Sequence, residues 1–312
     1  MDKVLITPKI NPDLDGVACA YAYAQLLNTV ADGNQYIAGI YGHPQAEAQF
    51  LLNKLGLKDG LIYNPSDEFA KFILVDASDL KGMPAIIRPP DVIEVIDHRL
   101  VQQAADLFPQ AKIQIEAVGA AATLIWEKAR EQRIDLNDQA LLLIYGAIFS
   151  NTLNRKSDLI QTRDEETIKS IADKLAGLPL VQTIDEMFRH KTEYIKNNYA
   201  TVIPDDFKMF DCRGQKLGIA QLEGYDLSNL LNDQTNSIKD VLHELKNKHN
   251  LDFIFLTVAD IKDGYNIFLT IDSQTQNLLS KKLSLQFNGQ GLAKNSRLLL
   301  RKQILPRLLT DI

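Results

Sequence analysis

The sequence predicts a two-domain α/β protein, with a mainly parallel sheet flanked by helices followed by a smaller α+β domain. Three observations predict it. Short apolar strands alternate with helical segments through the first half of the chain, as expected of a parallel sheet covered by its crossover helices. Aspartates stand at the ends of successive strands, where such a sheet opens its ligand crevice. After about residue 178 the pattern changes to paired strands around a turn, a helix and two further strands. The 312 residues, 46% of them hydrophobic, suffice for two cores at about 100–200 residues each.

Taken in order, residues 4–7 read as a short buried strand and Asn11-Pro12-Asp13 as a turn. From Gly16 onward, Val17, Ala20, Tyr21, Ala24 and Leu27 recur at helical spacing. A strand at 36–40 and a helix at 44–55 follow. The β-rich runs 72–75 and 92–96 each lead into an aspartate, and 112–117 is a further strand. Helices are expected over 118–131, 136–153 and 165–176. Gly177-Leu178-Pro179 closes the last of these, and another helical stretch reaches Ile203-Pro204-Asp205-Asp206. The second domain then shows strands at 207–212 and 216–221 around Arg213-Gly214, a helix at 238–248, and strands at 253–258 and 267–271. The expected division is a first domain over 1–190, a linker over 191–203 and a second domain over 204–312. No internal repeat or low-complexity tract is visible.

Composition narrows the partners. Charged residues make up 24% of the chain and the net charge is −6, with no basic stripe of the kind that tracks a long polyanion. Long nucleic acids are therefore not expected, whereas a small phosphate compound held by a metal is compatible with this balance. The two cysteines, Cys19 and Cys212, lie far apart and in no metal-binding spacing, which suits a reducing compartment. No apolar run is long enough to span a bilayer, and no signal-like apolar region precedes the first strand. A cytoplasmic protein is the expectation.

Three groups of residues carry chemistry. In Asn11-Pro12-Asp13-Leu14-Asp15-Gly16, two carboxylates between a strand and a helix can bind a hard cation through oxygen, although Asp-x-Asp before a helix is more often a turn with an N-cap. Asp76 closes Ile73-Leu74-Val75-Asp76 and can bridge cations or simply end a strand. Asp97-His98-Arg99 places a carboxylate, an imidazole and a guanidinium at one strand end, as a phosphate site or as a structural Asp–Arg pair with a surface histidine. Together they weigh more, because so many carboxylates at neighbouring strand ends call for a cation. Other candidates are weaker: His43 reads as a loop residue, His243 and His249 as exposed helix positions, and Trp126 as core. Ser150 and Ser157 have no His/Asp arrangement around them.

The order Asn-Pro-Asp-x-Asp, Leu74-Val75-Asp76, Val95-Ile96-Asp97-His98 and then Glu116-Ala117-Val118-Gly119-Ala120 before a helix resembles the DHH phosphoesterases. The second half, with Leu251-Asp252-Phe253 and the tail Arg301-Lys302-Gln303-Ile304-Leu305-Pro306, resembles the DHHA2-type domain of the manganese-dependent (family II) inorganic pyrophosphatase and exopolyphosphatase branch. The resemblance implies a metal-dependent phosphohydrolase that uses metal-activated water on pyrophosphate, short polyphosphate or a small phosphate ester. It implies Mn²⁺ or Mg²⁺, one or two ions, in a cleft between the domains, and a homodimer formed through the first sheet's edge. The candidate catalytic residues are Asp13, Asp15, Asp76, Asp97 and His98. The candidate metal ligands are Asp13, Asp15, Asp76 and His98, with Asn151 at the position of a late ligand. Candidate substrate contacts are Lys9, Arg99, Lys191, Arg297, Arg301 and Lys302.

The chain departs from the family pattern where a histidine becomes Lys9, a second histidine becomes Arg99 and an aspartate becomes Asn151. In the tail, either Leu300 replaces an arginine or Arg297 supplies it. The first three changes add positive charge, so one ion can be lost with the Lys9 ammonium in its place. The competing reading is a catalytically impaired protein that binds a phosphate ligand or regulates a partner without turnover.

Overall fold

In the computed structural model, the described residues are 2–30, 33–57, 59–66, 68–99, 103–212 and 214–309. Arg213, of the turn expected between the first two strands of the second domain, lies outside them. The chain divides into two compact units, 1–187 and 188–312.

The first unit contains β1 (Lys3–Thr7), α1 (Leu14–Thr29), β2 (Gln35–Ile40), α2 (Ala46–Lys54), β3 (Ile62–Tyr63), β4 (Lys71–Val75), β5 (Val92–Asp97), α3 (Ala104–Leu107), β6 (Lys112–Ile115), α4 (Ala121–Glu131), α5 (Asp138–Asn151), α6 (Thr162–Lys174) and the start of α7 (Leu180–Asp206). The sheet order is β3-β2-β1-β4-β5-β6, and every pairing is parallel. Strands β1, β4 and β5 are central and carry near-continuous apolar runs, because helices cover both faces of such a sheet. Winding reverses between β1 and β4. The carboxyl ends of these two strands therefore flank the crevice where open parallel sheets bind ligands. Helices α1 and α5 are almost wholly apolar and pack as the inner helical layer, with Gly16 and Gly146 at close contacts.

The expected linker range 191–203 lies inside α7, which kinks at Asn198 (φ −133°, ψ 19°). The second unit adds β7 (Lys208–Cys212), β8 (Gln215–Gly224), α8 (Ser228–His249), β9 (Phe253–Asp260), β10 (Tyr265–Thr270), α9 (Ser273–Leu283), β11 (Leu292–Asn295) and α10 (Arg301–Leu309). Its sheet runs β11-β10-β9-β8-β7, antiparallel except for the β8/β9 pair, which α8 connects. Strand β9 is buried along its whole length. One core face packs Leu222, Ile238, Leu242 and Leu256 under α8, and the other packs Phe255, Phe268, Leu279 and Ile304 under α9 and α10. Among the described residues, no helix is long and apolar enough to cross a membrane.

Candidate metal centre

The site grows from the turn after β1. Asn11 adopts a left-handed backbone (φ 55°), and its side chain accepts from His43 N at 2.8 Å, which fixes the turn. Asp13 caps α1, accepting from Gly16 N at 3.0 Å. Two residues on, Asp15 is fully buried. Its two oxygens accept from Ala121 N (2.7 Å) and Ala122 N (2.8 Å), the free amides at the start of α4. Asn151, the last residue of α5, donates its side-chain amide to the same carboxylate at 2.8 Å.

Asp76 follows β4 with a left-handed backbone (φ 48°), held by its amide donating to Ile96 O at 2.8 Å. This conformation strains a residue other than glycine, and such strain gathers at functional sites. Asp97, the last residue of β5, is also fully buried. It accepts from Ser78 Oγ (2.6 Å), from the amides of His98 and Arg99 (2.7 and 3.1 Å), and from Arg99 Nε (3.1 Å).

His98 is aimed by Val118. A carbonyl can only accept, so Nδ1, 3.1 Å from Val118 O, carries the proton of the neutral ring. The Nε2 lone pair then faces Asp76 Oδ1 at 3.6 Å and Asp15 Oδ2 at 4.0 Å. One donor atom from each of Asp15, Asp76 and His98 lies within 4.8 Å of the others. Two carboxylates and an oriented imidazole form a mostly hard donor set, which fits Mn²⁺ or Mg²⁺.

The electrostatics also favour a cation. Burial pushes the Asp15 carboxyl up to about 6, helped by Asp13 and opposed by His98 and the two α4 amides. Burial, with Asp13 and Asp15, drives Asp76 well above the carboxylate range. Burial also acts against ionisation of Asp97, but Arg99 and Ser78 outweigh it and hold that carboxyl below its ordinary value.

The other expected residues separate into groups. Lys9 is held by both oxygens of Asp79 at 2.8 and 2.9 Å. Arg99 leans on Asp97 and donates to the main-chain oxygen of Asp76. In the second unit, Lys191 pairs with Glu223 at 3.4 Å. Arg301 is buried and committed to Asp206, donating to its carbonyl at 2.8 Å and to its carboxylate. Lys302 lines a cleft with Arg301, Lys208 and Gln221, whereas Arg297 is exposed on the connection before α10. Sequence reasoning missed Ser78, Asp79, Lys208 and Gln221. Ser78 and Asp79 do follow Asp76 closely, which is the one local hint; nothing in the sequence marks Lys208 or Gln221.

Carboxylates and an imidazole converging at the carboxyl ends of a doubly wound parallel sheet define an α/β protein with a candidate divalent-metal site. Residues 3–148 match the DHH family, N-terminal domain, and residues 185–310 match the DHHA2 domain. The chain thus carries a DHH N-terminal domain followed by a DHHA2 domain. It is 26% identical over 315 residues to a candidate manganese-dependent inorganic pyrophosphatase of Clostridium acetobutylicum, covering 100% of this chain and 98% of the relative. It is 24% identical over 311 residues to the manganese-dependent inorganic pyrophosphatase of Methanothrix thermoacetophila, covering 98% and 97%. The crystal structure of a candidate family II inorganic pyrophosphatase from Methanococcus jannaschii has the same fold, with a TM-score of 0.72 at 23% identity and 98% of each chain covered.

Proposed function

We propose that the protein is a divalent-metal-dependent phosphohydrolase acting on pyrophosphate, or on a short polyphosphate or small phosphate ester. The observation that carries this is the convergence of Asp15, Asp76 and His98 at the crevice, in a chain aligned end to end with manganese-dependent relatives. Asp15, Asp76 and His98 hold the ion, and Asp13 adds charge beside it. A bound divalent ion supplies Lewis acidity, neutralising phosphoryl oxygens and acidifying water. Val118 keeps the His98 proton on Nδ1, so that Nε2 stays a ligand. Asp97 fixes Arg99, whose planar donors can take phosphoryl oxygens. In the second unit, Lys302 and Lys208 form a further basic cluster suited to phosphate. The relatives favour turnover over a ligand-binding protein without it. The same reading places the protein in the cytoplasm as a homodimer, and two buried free thiols agree with a reducing compartment.

The test is phosphate release from pyrophosphate with Mn²⁺, for the wild type and for Asp76→Ala. Release that disappears in the variant is expected. No release from pyrophosphate, tripolyphosphate or a small phosphate monoester, with Mn²⁺ or Mg²⁺, would reject the reading.

A further inference from the structure

The groups around the metal donors set how many cations the site can take. The inference rests on the metal-dependent reading above and concerns the ion count alone. Two basic side chains lie near the carboxylates, and they do different things. Lys9 is spent elsewhere: both Asp79 oxygens hold its ammonium, at 2.8 and 2.9 Å. That carboxylate is fixed in turn by Lys81 N at 2.8 Å, so the pair closes on itself.

Arg99 is engaged with the site itself. Its Nη2 lies 3.5 Å from Asp76 Oδ1, the same oxygen that faces His98 Nε2 at 3.6 Å. It also donates to the main-chain oxygen of Asp76, and its Nε sits 3.1 Å from Asp97 Oδ1. The guanidinium is thus anchored on two carboxylates, and its charge is permanent because arginine does not deprotonate in proteins. Its side chain remains 42% exposed, leaving donors open to a ligand. Asn151 brings no charge and gives its amide to Asp15.

We propose that the site takes one divalent ion, on Asp15, Asp76 and His98, and that the Arg99 guanidinium stands beside Asp76 and Asp97 as a fixed second cation. A second dication would compete with the guanidinium for the same carboxylates and be repelled by it at close range. A phosphate group then meets one ion and one planar donor, which adds directional hydrogen bonds to the charge.

The experiment counts Mn²⁺ by equilibrium dialysis at saturating metal and records electron paramagnetic resonance on the dialysed protein. The variants are Arg99→Ala, Arg99→Lys and Lys9→Met, each checked for folding by circular dichroism. One Mn²⁺ per chain with an isolated-ion spectrum is expected for the wild type, Lys9→Met and Arg99→Lys. A second, spin-coupled ion is expected only in Arg99→Ala. Two ions in the wild type would overturn the inference and leave the metal-dependent reading intact. No ion in the wild type would overturn both. A count that rises in Lys9→Met, or stays at one in folded Arg99→Ala, would overturn the part assigned to Arg99. Phosphate release, measured separately, bears on the hydrolase reading alone.

Discussion

Replacing Asn151 by aspartate changes charge at the site with almost no change in volume. The amide donates to Asp15 Oδ2 at 2.8 Å, and a hydrogen bond to a charged acceptor is worth about 1.5–3 kcal/mol. Asn151→Asp removes it and sets two carboxylates side by side. At about 4 Å between charges and an effective dielectric of about 20, their repulsion is about 4 kcal/mol. A proton shared between the two limits the loss, since keeping a carboxyl protonated at about pH 7 costs about 4 kcal/mol. The metal-free variant should therefore be less stable than the wild type by about 4 kcal/mol. At about 2–4 °C per kcal/mol for a unit of this size, that lowers its Tm by about 8–16 °C.

Mn²⁺ offsets most of this loss, because the added carboxylate then faces a dication. The variant should bind Mn²⁺ at least about a hundredfold more tightly, an added stabilisation of about 2.7 kcal/mol. Thermal unfolding in chelator and in excess Mn²⁺, with a Mn²⁺ titration beside it, measures both effects. Equal losses in the two media, or none in either, would refute the placement of Asn151 against the metal.

Three other changes test neighbouring parts of the argument. Asp164→Ala removes a buried carboxylate that accepts from Gly119 N (2.7 Å), Thr123 Oγ1 (2.6 Å) and Gln161 N (2.8 Å). It should cost about 3–5 kcal/mol in urea unfolding and weaken Mn²⁺ binding. Gly16→Ala sets a Cβ 2.7 Å from Pro8 Cβ, so the Asp13–Asp15 turn must shift; a loss of about 1–3 kcal/mol with weaker Mn²⁺ binding is expected in the same assays. In the second unit, burial acts to raise Asp272, but Lys246 at 2.8 Å and Thr275 N hold its carboxyl below 3.8. A depressed folded pKa gives stability that is present above the unfolded value and lost as pH falls through the folded one. Lys246→Met should therefore move the acid-unfolding midpoint to higher pH.

The central strands were legible because a parallel sheet buried on both faces leaves unbroken apolar runs, as in Phe72 to Val75. The edge strand β3 has two residues, both exposed, and leaves no such trace. The first half of α8, which bends at Gln234, was hidden because Asn229, Asn232, Asp233, Asn236 and Ser237 favour caps and turns over helix interiors. In the site, the strand-end carboxylates could be read from spacing alone. The partner of Lys9 could not, since Asp79 stands 70 residues away and only the fold brings them together. The idea of Lys9 as the stand-in cation therefore moves to Arg99, two residues from the Asp97 that anchors it. The basic tail is a similar case: Arg301 is expected to contact phosphate by resemblance alone, and only the fold shows its guanidinium donating to Asp206, 95 residues away.

The donors share one support. Val118 O orients His98, and the amides of Ala121 and Ala122 hold Asp15, so the segment entering α4 aims two of the three metal-facing groups. That segment is itself pinned by Asp164 through Gly119 N and Thr123. Neither the loop nor Asp164 carries a donor atom of the cluster, yet the geometry depends on both. Asp15 takes its amide bonds from a helix N-terminus, whose partial positive charge keeps a buried carboxylate tolerable without a metal. Asp76 has no comparable set of donors and sits in a strained conformation, so its charge is the one the folded chain tolerates least. A cation placed between these two relieves Asp76 more than Asp15. That asymmetry is why Asp76, rather than the better-held Asp15, is the residue whose loss should abolish metal binding while leaving the fold standing.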